Sequence, residues 1–200
     1  MNNDLIKLME LDEDLALAHQ QIGSPPPRKR EPGFASLLRI IIDQQVSVAS
    51  GQAIWKRLIE TLGTVTADTV NDADKDTLRA AGLSRPKARY AHCLTKAIID
   101  GDLDLGTFSN LSDNDVMTKL TAITGIGRWT AEIYLMFALG RGDIWPVGDL
   151  ALAEAAKRLL KLEKRPDFSE MEHIGERWKP YRTTAAVFLW HYYKKYPVKV

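Results

Sequence analysis

The stretch Trp129 to Leu139 reads Trp-Thr-Ala-Glu-Ile-Tyr-Leu-Met-Phe-Ala-Leu. It is made of helix-compatible residues and is apolar nearly all round. A helix of that kind must be covered on most sides, so the rest of the chain has to be built around it. Gly140 closes it, and Gly125-Ile126-Gly127 sets its start. Glycine at both positions permits a sharp turn and leaves N–H groups uncovered by side chains. Those N–H groups open the helix, where an anion is favoured, and a phosphate is the obvious candidate. Ile126 at the tip can pack back between the two helices, and a side chain at Gly127 is expected both to strain the turn and to fill the anion site. The preceding helix opens on Ser112-x-x-Asp115, a capping-box pattern.

Helical spacing runs through the rest of the chain, and no segment alternates convincingly as a strand. Leu5, Leu8, Leu11 and Leu15 share one face of a first helix expected over Asp4 to Gln21. Ser24-Pro25-Pro26-Pro27 stops it, and Arg28-Lys29-Arg30 follows, read as a solvated linker with a phosphate contact as the alternative. Phe34 to Ile42 predicts a buried helix. Ser47 N-caps the next, which ends before Gly63. Asp72 is placed as the cap of a helix ending near Gly82, and Ser84 with Pro86 opens another carrying Ala91, Leu94 and Ile98 on one face. Gly101 to Asn110 reads as a loop. Asp149 to Leu162, Ser169 to Trp178 and Thr183 to Tyr196 complete about ten helices.

With 200 residues, 45% of them hydrophobic, the chain can bury one domain, or two small lobes around a cleft. Lys and Arg number 27 against 26 Asp and Glu, a net charge of +1. Any nucleic-acid footprint must therefore be local. The single cysteine, Cys93, excludes an internal disulfide or a four-cysteine cluster. The four histidines show no metal-ligand spacing. Neither a signal peptide nor a membrane-spanning run is apparent, so an intracellular location is expected, cytoplasmic or nuclear.

The full pattern Leu120-x-x-Ile123-x-Gly125-Ile126-Gly127-x-x-Thr130-Ala131 is far more specific than its glycines, and Pro146-Val147-Gly148-Asp149 follows the second helix. Together they resemble the helix-hairpin-helix/Gly-Pro-Asp superfamily of base-excision DNA glycosylases. Asp43-Gln44-Gln45-Val46-Ser47-Val48-Ala49 and Glu176-Arg177-Trp178-Lys179-Pro180-Tyr181-Arg182 extend the likeness to the 3-methyladenine DNA glycosylase II family. The resemblance implies an all-α fold of two helical lobes, 34–140 and 1–33 with 141–200, with Asp149 in the cleft between them. It also implies excision of alkylated bases, chiefly 3-methyladenine and 7-methylguanine, from duplex DNA by a monomer. Two alternatives stay open: a glycosylase for deaminated or oxidised bases, and a non-catalytic DNA-binding module.

Taken alone, Asp149 reads as a helix N-cap. The resemblance implies that its carboxylate also stabilises an oxocarbenium-like sugar and orients or deprotonates the attacking water. Bifunctional relatives carry a lysine immediately before the Thr-Ala pair, where this chain has Trp129; without that amine no Schiff base forms there. Trp129, Trp190 and Tyr181 are candidate walls for a cationic base. Ile133 stands where some relatives place a pocket tyrosine, which leaves lesion preference open. Gln44 and Gln45 break an apolar pattern and read as an exposed tip for the DNA groove. Backbone from Gly125 to Gly127, with Ile126, Arg128, Thr130, Lys179 and Arg182, supplies further DNA contacts. So few charges predict a shallow salt dependence. The family hairpin also implies a Na+ or K+ ion on the backbone carbonyls of Thr121, Ile123 and Ile126, with no required cofactor.

Overall fold

The computed structural model describes residues 3–196. Among them are twelve α-helices and one 3₁₀ helix, and no strand. The chain divides into two compact units, Lys29–Leu139 and Met1–Arg28 with Gly140–Val200.

The Lys29–Leu139 unit holds α3 (Phe34–Asp43), α4 (Val48–Leu62), α5 (Ala67–Asp72), α6 (Lys75–Ala80), α7 (Arg85–Ile99), the 3₁₀ helix Leu105–Asn110, α8 (Asp113–Thr121) and α9 (Arg128–Phe137). Every residue of α9 from Thr130 to Phe137 is buried, as its apolar circumference requires. Tyr134 is fully buried, stands edge-on to Phe108 at 6.3 Å, and accepts the Gly33 N–H through its hydroxyl at 2.9 Å. Local caps start most of these helices. The hydroxyls of Ser47, Thr66, Ser84 and Ser112 each accept an N–H from the first turn, as do the carboxylates of Asp74 and, on the 3₁₀ helix, Asp104.

Three expectations for this unit need correction. The capping residue is Asp74, because Asp72 already ends α5, a short helix opened by the Thr66 capping box. Gly101 to Asn110 is not loop throughout: Asp104 caps a 3₁₀ turn that buries Phe108. Arg30 is no solvated linker residue, since its N–H donates to Phe137 at 2.8 Å and its guanidinium reaches Asp43 at 3.2 Å.

The second unit contains α1 (Asn3–Leu11), α2 (Glu13–Ile22), α10 (Leu150–Leu159), α11 (Phe168–Glu176) and α12 (Arg182–Lys195). The single first helix expected from the leucine pattern is two helices, broken at Asp12. Asp12 is 3% exposed. It caps α2 through the Leu15 N–H, accepts Trp178 Nε1 at 2.8 Å and pairs with Arg177 at 2.8 Å. A buried carboxylate needs that many donors, and the break supplies one of them. Trp145 packs edge-on to Trp178 at 5.1 Å and donates to the Met171 carbonyl. Gly175 permits that approach, because a Cβ there would lie 2.5 Å from the Trp145 ring.

Candidate nucleic-acid interface and candidate active site

In the Lys29–Leu139 unit, α8 and α9 meet in the turn Ala122–Gly127. The Ile126 N–H donates to the Ile123 carbonyl at 3.0 Å, and Ile126 is buried. The two glycines serve different ends. Gly125 has φ +96°, and a Cβ on it would sit 2.1 Å from Cγ of Tyr90 on α7. That position requires glycine for both backbone and packing. Gly127 has φ −91° and ψ 176°, ordinary extended backbone, and a Cβ there would touch nothing in the protein. The strain expected from a side chain at 127 is therefore absent. Gly127 is also the N-cap of α9 and places no side-chain acceptor over the helix start. The first N–H groups of an α-helix have no acceptor within the helix, so this end suits an anion from outside.

The paired glutamines divide. Gln44 is half-buried, and its amide donates to the Gly125 carbonyl at 3.0 Å and to the Thr130 hydroxyl at 2.9 Å. It clasps the hairpin instead of standing out as a tip. Gln45 is exposed, in the left-handed region at φ +52°. Thr130 is 2% exposed, so its side chain braces the turn and only its backbone faces the helix start. Arg128 bonds Glu132, a buried carboxylate, at 2.8 Å, and Trp129 is half-buried on the first turn of α9. Two participants escaped the sequence reading. Tyr90 fills the space Gly125 leaves, and Lys87 is buried with its ammonium on the carbonyls of Ile42 and Gln44, 2.7 Å from each. Neither contact has a local pattern that would announce it.

In the other unit, Trp145, Pro146 and Val147 are buried, and the Asp149 N–H turns back to the Pro146 carbonyl at 3.0 Å. This tight turn delivers Asp149 to the N-cap of α10, half-buried. Its Oδ1 accepts the Leu152 N–H at 2.8 Å and the Trp190 indole N–H at 3.1 Å. The structure thus brings Asp149 and Trp190 together, and gives Trp190, expected as a pocket wall, the work of orienting the carboxylate. Tyr181 is half-buried at the start of α12.

Arg182, expected on DNA, is engaged inside this unit. Its Nε and Nη2 take the two Asp143 carboxylate oxygens at 2.7 and 2.9 Å, and Nη2 also reaches the Asp143 carbonyl. Such a fork fixes the start of α12 and is a poor donor to anything else. Lys179 is exposed and bonds Glu176 at 2.7 Å, holding that carboxyl below its ordinary range. An exposed pair of this kind exchanges partners readily.

The sequence pattern of the HhH-GPD superfamily base excision DNA repair proteins matches residues 38–180. DNA-3-methyladenine glycosylase 1 of Schizosaccharomyces pombe is 32% identical over 193 residues, 92% of this chain and 84% of that protein. A Bacillus subtilis protein, YfjP, provisionally named as a DNA-3-methyladenine glycosylase, is 31% identical over 165 residues, 78% of this chain. The match spans only 58% of that protein's own length. Among solved structures, the S. pombe 3-methyladenine DNA glycosylase Mag1 in complex with abasic DNA superposes with a TM-score of 0.88 at 29% identity, over 96% of this chain and 97% of that one.

Proposed function

This chain belongs to the HhH-GPD superfamily of base excision DNA repair proteins, and from that premise we propose that it hydrolyses the N-glycosidic bond of alkylated bases, chiefly 3-methyladenine and 7-methylguanine, in duplex DNA. The observation that carries the reading is the Asp149 carboxylate, fixed by two N–H donors at the start of α10. Alkylation at N3 of adenine or N7 of guanine puts positive charge on the base, which then departs as a neutral molecule without a proton from an acid. The barrier left is the positive charge that develops on the sugar. A fixed carboxylate stabilises that charge and takes a proton from water as its oxygen bonds C1′. The products are a free base and an abasic site. Trp129 in place of an amine supports hydrolysis without a lyase step.

For the DNA itself, the reading uses the N–H groups at the start of α9 as a phosphate seat, with Gln45 as the side chain that enters the gap left by an extruded nucleotide. The aromatic face of Tyr181 is assigned to the base. A Na+ or K+ ion fits the hairpin chemistry, since hard cations take oxygen ligands. The carbonyls of Thr121, Ile123 and Ile126 would hold it, although that of Ile123 also accepts the Ile126 N–H. Bound there, it would add positive charge beside a phosphate.

A panel of duplexes carrying 3-methyladenine, 7-methylguanine, hypoxanthine, uracil or 8-oxoguanine tests the reading. Free alkylpurine should be released, the abasic strand should stay intact, and borohydride should trap no protein–DNA adduct. Release confined to deaminated or oxidised bases, or a trapped adduct, would overturn it.

A further inference from the structure

Lys87 lies on the first turn of α7 and is 9% exposed. Its ammonium donates to the Ile42 and Gln44 carbonyls at 2.7 Å each. Both acceptors stand at the C-terminal end of α3, where carbonyls lack partners within the helix and a cation is favoured. Burial pushes the amine below the ordinary lysine range, opposed by the charge of Asp43. An ammonium is costly to bury, so what it fixes matters. The Gln44 carbonyl belongs to the peptide unit whose nitrogen is that of Gln45. Holding that oxygen orients the peptide plane, and the plane governs φ of Gln45, which stands at +52°, a region L side chains enter uncommonly. On the other side of the same residue, the Gln44 amide clasps the Gly125 carbonyl and the Thr130 hydroxyl. One residue, Gln44, therefore joins α7 through its carbonyl, the exposed tip through its peptide bond to Gln45, and the hairpin turn through its side chain.

We propose that Lys87 is a positioning residue for nucleotide extrusion: its ammonium, bound to the Ile42 and Gln44 carbonyls, sets the backbone that presents Gln45 and turns Gln44 onto the hairpin. The inference rests on the DNA reading above and assigns Lys87 no contact with the reacting atoms. It separates two stages of the reaction. Loss of the ammonium slows extrusion of a lesion held by a base pair and has far less effect where no pair has to be broken.

The experiment compares the parent protein with Lys87→Met on 7-methylguanine opposite cytosine and opposite an abasic-site analogue. Single-turnover excision is read alongside the fluorescence of a 2-aminopurine beside the lesion, which reports unstacking. Circular dichroism confirms folding, and Lys87→Gln replaces the methionine variant if that does not fold. Excision of the paired lesion should fall about tenfold, the scale of one charge-assisted hydrogen bond. Excision of the unpaired lesion should stay within about threefold, since none of the lost bonds touches the sugar. The unstacking signal should fall with the paired rate. Equal losses on both duplexes, or no loss, would overturn the inference. If the parent unstacks the probe and excises nothing, the proposed reaction fails while the role of Lys87 is decided by unstacking alone: lost in the variant it stands, kept it falls. A parent that neither binds nor unstacks DNA overturns both.

Discussion

α9 and α10 are consecutive helices whose first turns are finished differently. α10 begins under the Asp149 carboxylate, which accepts the Leu152 N–H and is steadied by Trp190. α9 begins at Gly127, with no side-chain acceptor and open space where a Cβ would stand. Both helices offer the same physical resource, outward N–H groups at the positive end of a dipole. In α10 the resource is used internally, to hold a carboxylate in one orientation. In α9 the N-cap residue brings no such side chain, and the proposed occupant is a DNA phosphate. The pair shows that the finish of a helix start, rather than the helix itself, separates a candidate catalytic group from a candidate anchor.

Asp149→Asn should separate the two helix starts most severely. Asparagine caps a helix as well as aspartate does, and its amide oxygen can keep both N–H donors. Fold and DNA affinity should survive while single-turnover excision of 7-methylguanine falls about a thousandfold. Near-parent excision would reduce Asp149 to a cap.

Next in size is Gly127→Asp, which finishes α9 the way α10 is finished. The backbone there already suits a capping residue, so the thermal midpoint should hold or rise slightly, as for the roughly few tenths of a kcal/mol by which aspartate exceeds glycine as a cap. DNA affinity should fall at least about tenfold at low salt, as a carboxylate replaces the phosphate seat. Gly125→Ala supplies the contrast, because it meets Tyr90 and the wrong side of φ. It should cost about 2 kcal/mol or more of stability. A folded Gly127→Asp that binds duplex DNA like the parent would remove α9 as the anchor.

Trp190→Phe sharpens the α10 side. It keeps the buried ring and deletes the N–H on Asp149, so excision should drop by roughly tenfold with affinity unchanged. A loss in affinity with normal turnover would return Trp190 to a base-contacting role. The smallest effect is in salt. Arg128, Lys179 and Arg182 each have an acidic partner, and a backbone seat releases few counterions. The slope of log affinity against log salt should correspond to about three phosphates, and a slope near ten would point to a basic surface instead.

What the sequence disclosed follows how local each cause is. Ser47, Ser84, Ser112 and Asp149 bond an N–H three residues on, so each announces its helix start. The turn at Gly125 and the burial of α9 are equally local in origin, one a φ requirement and the other a pattern of side chains. Partnerships across long separations were not legible. Gln44 looked like a tip because its acceptors, Gly125 and Thr130, lie some eighty residues on. Trp190 looked like a pocket wall because nothing nearby in sequence shows that its N–H meets Asp149. The break at Asp12 is the clearest case. The leucine stripe runs straight through it, and the helix divides because Trp178 and Arg177 converge on the carboxylate.

The bond from Trp190 to Asp149 has a consequence in time. Residues 29–139 form their unit from one uninterrupted run, whereas the unit bearing Asp149 draws on both sides of that run. During synthesis the hairpin is complete once residue 139 has emerged. The carboxylate gains its second donor only after residue 190 has followed. No nascent chain between those lengths can hold Asp149 as the finished protein does, so the order of translation completes the proposed strand anchor before the proposed catalytic carboxylate.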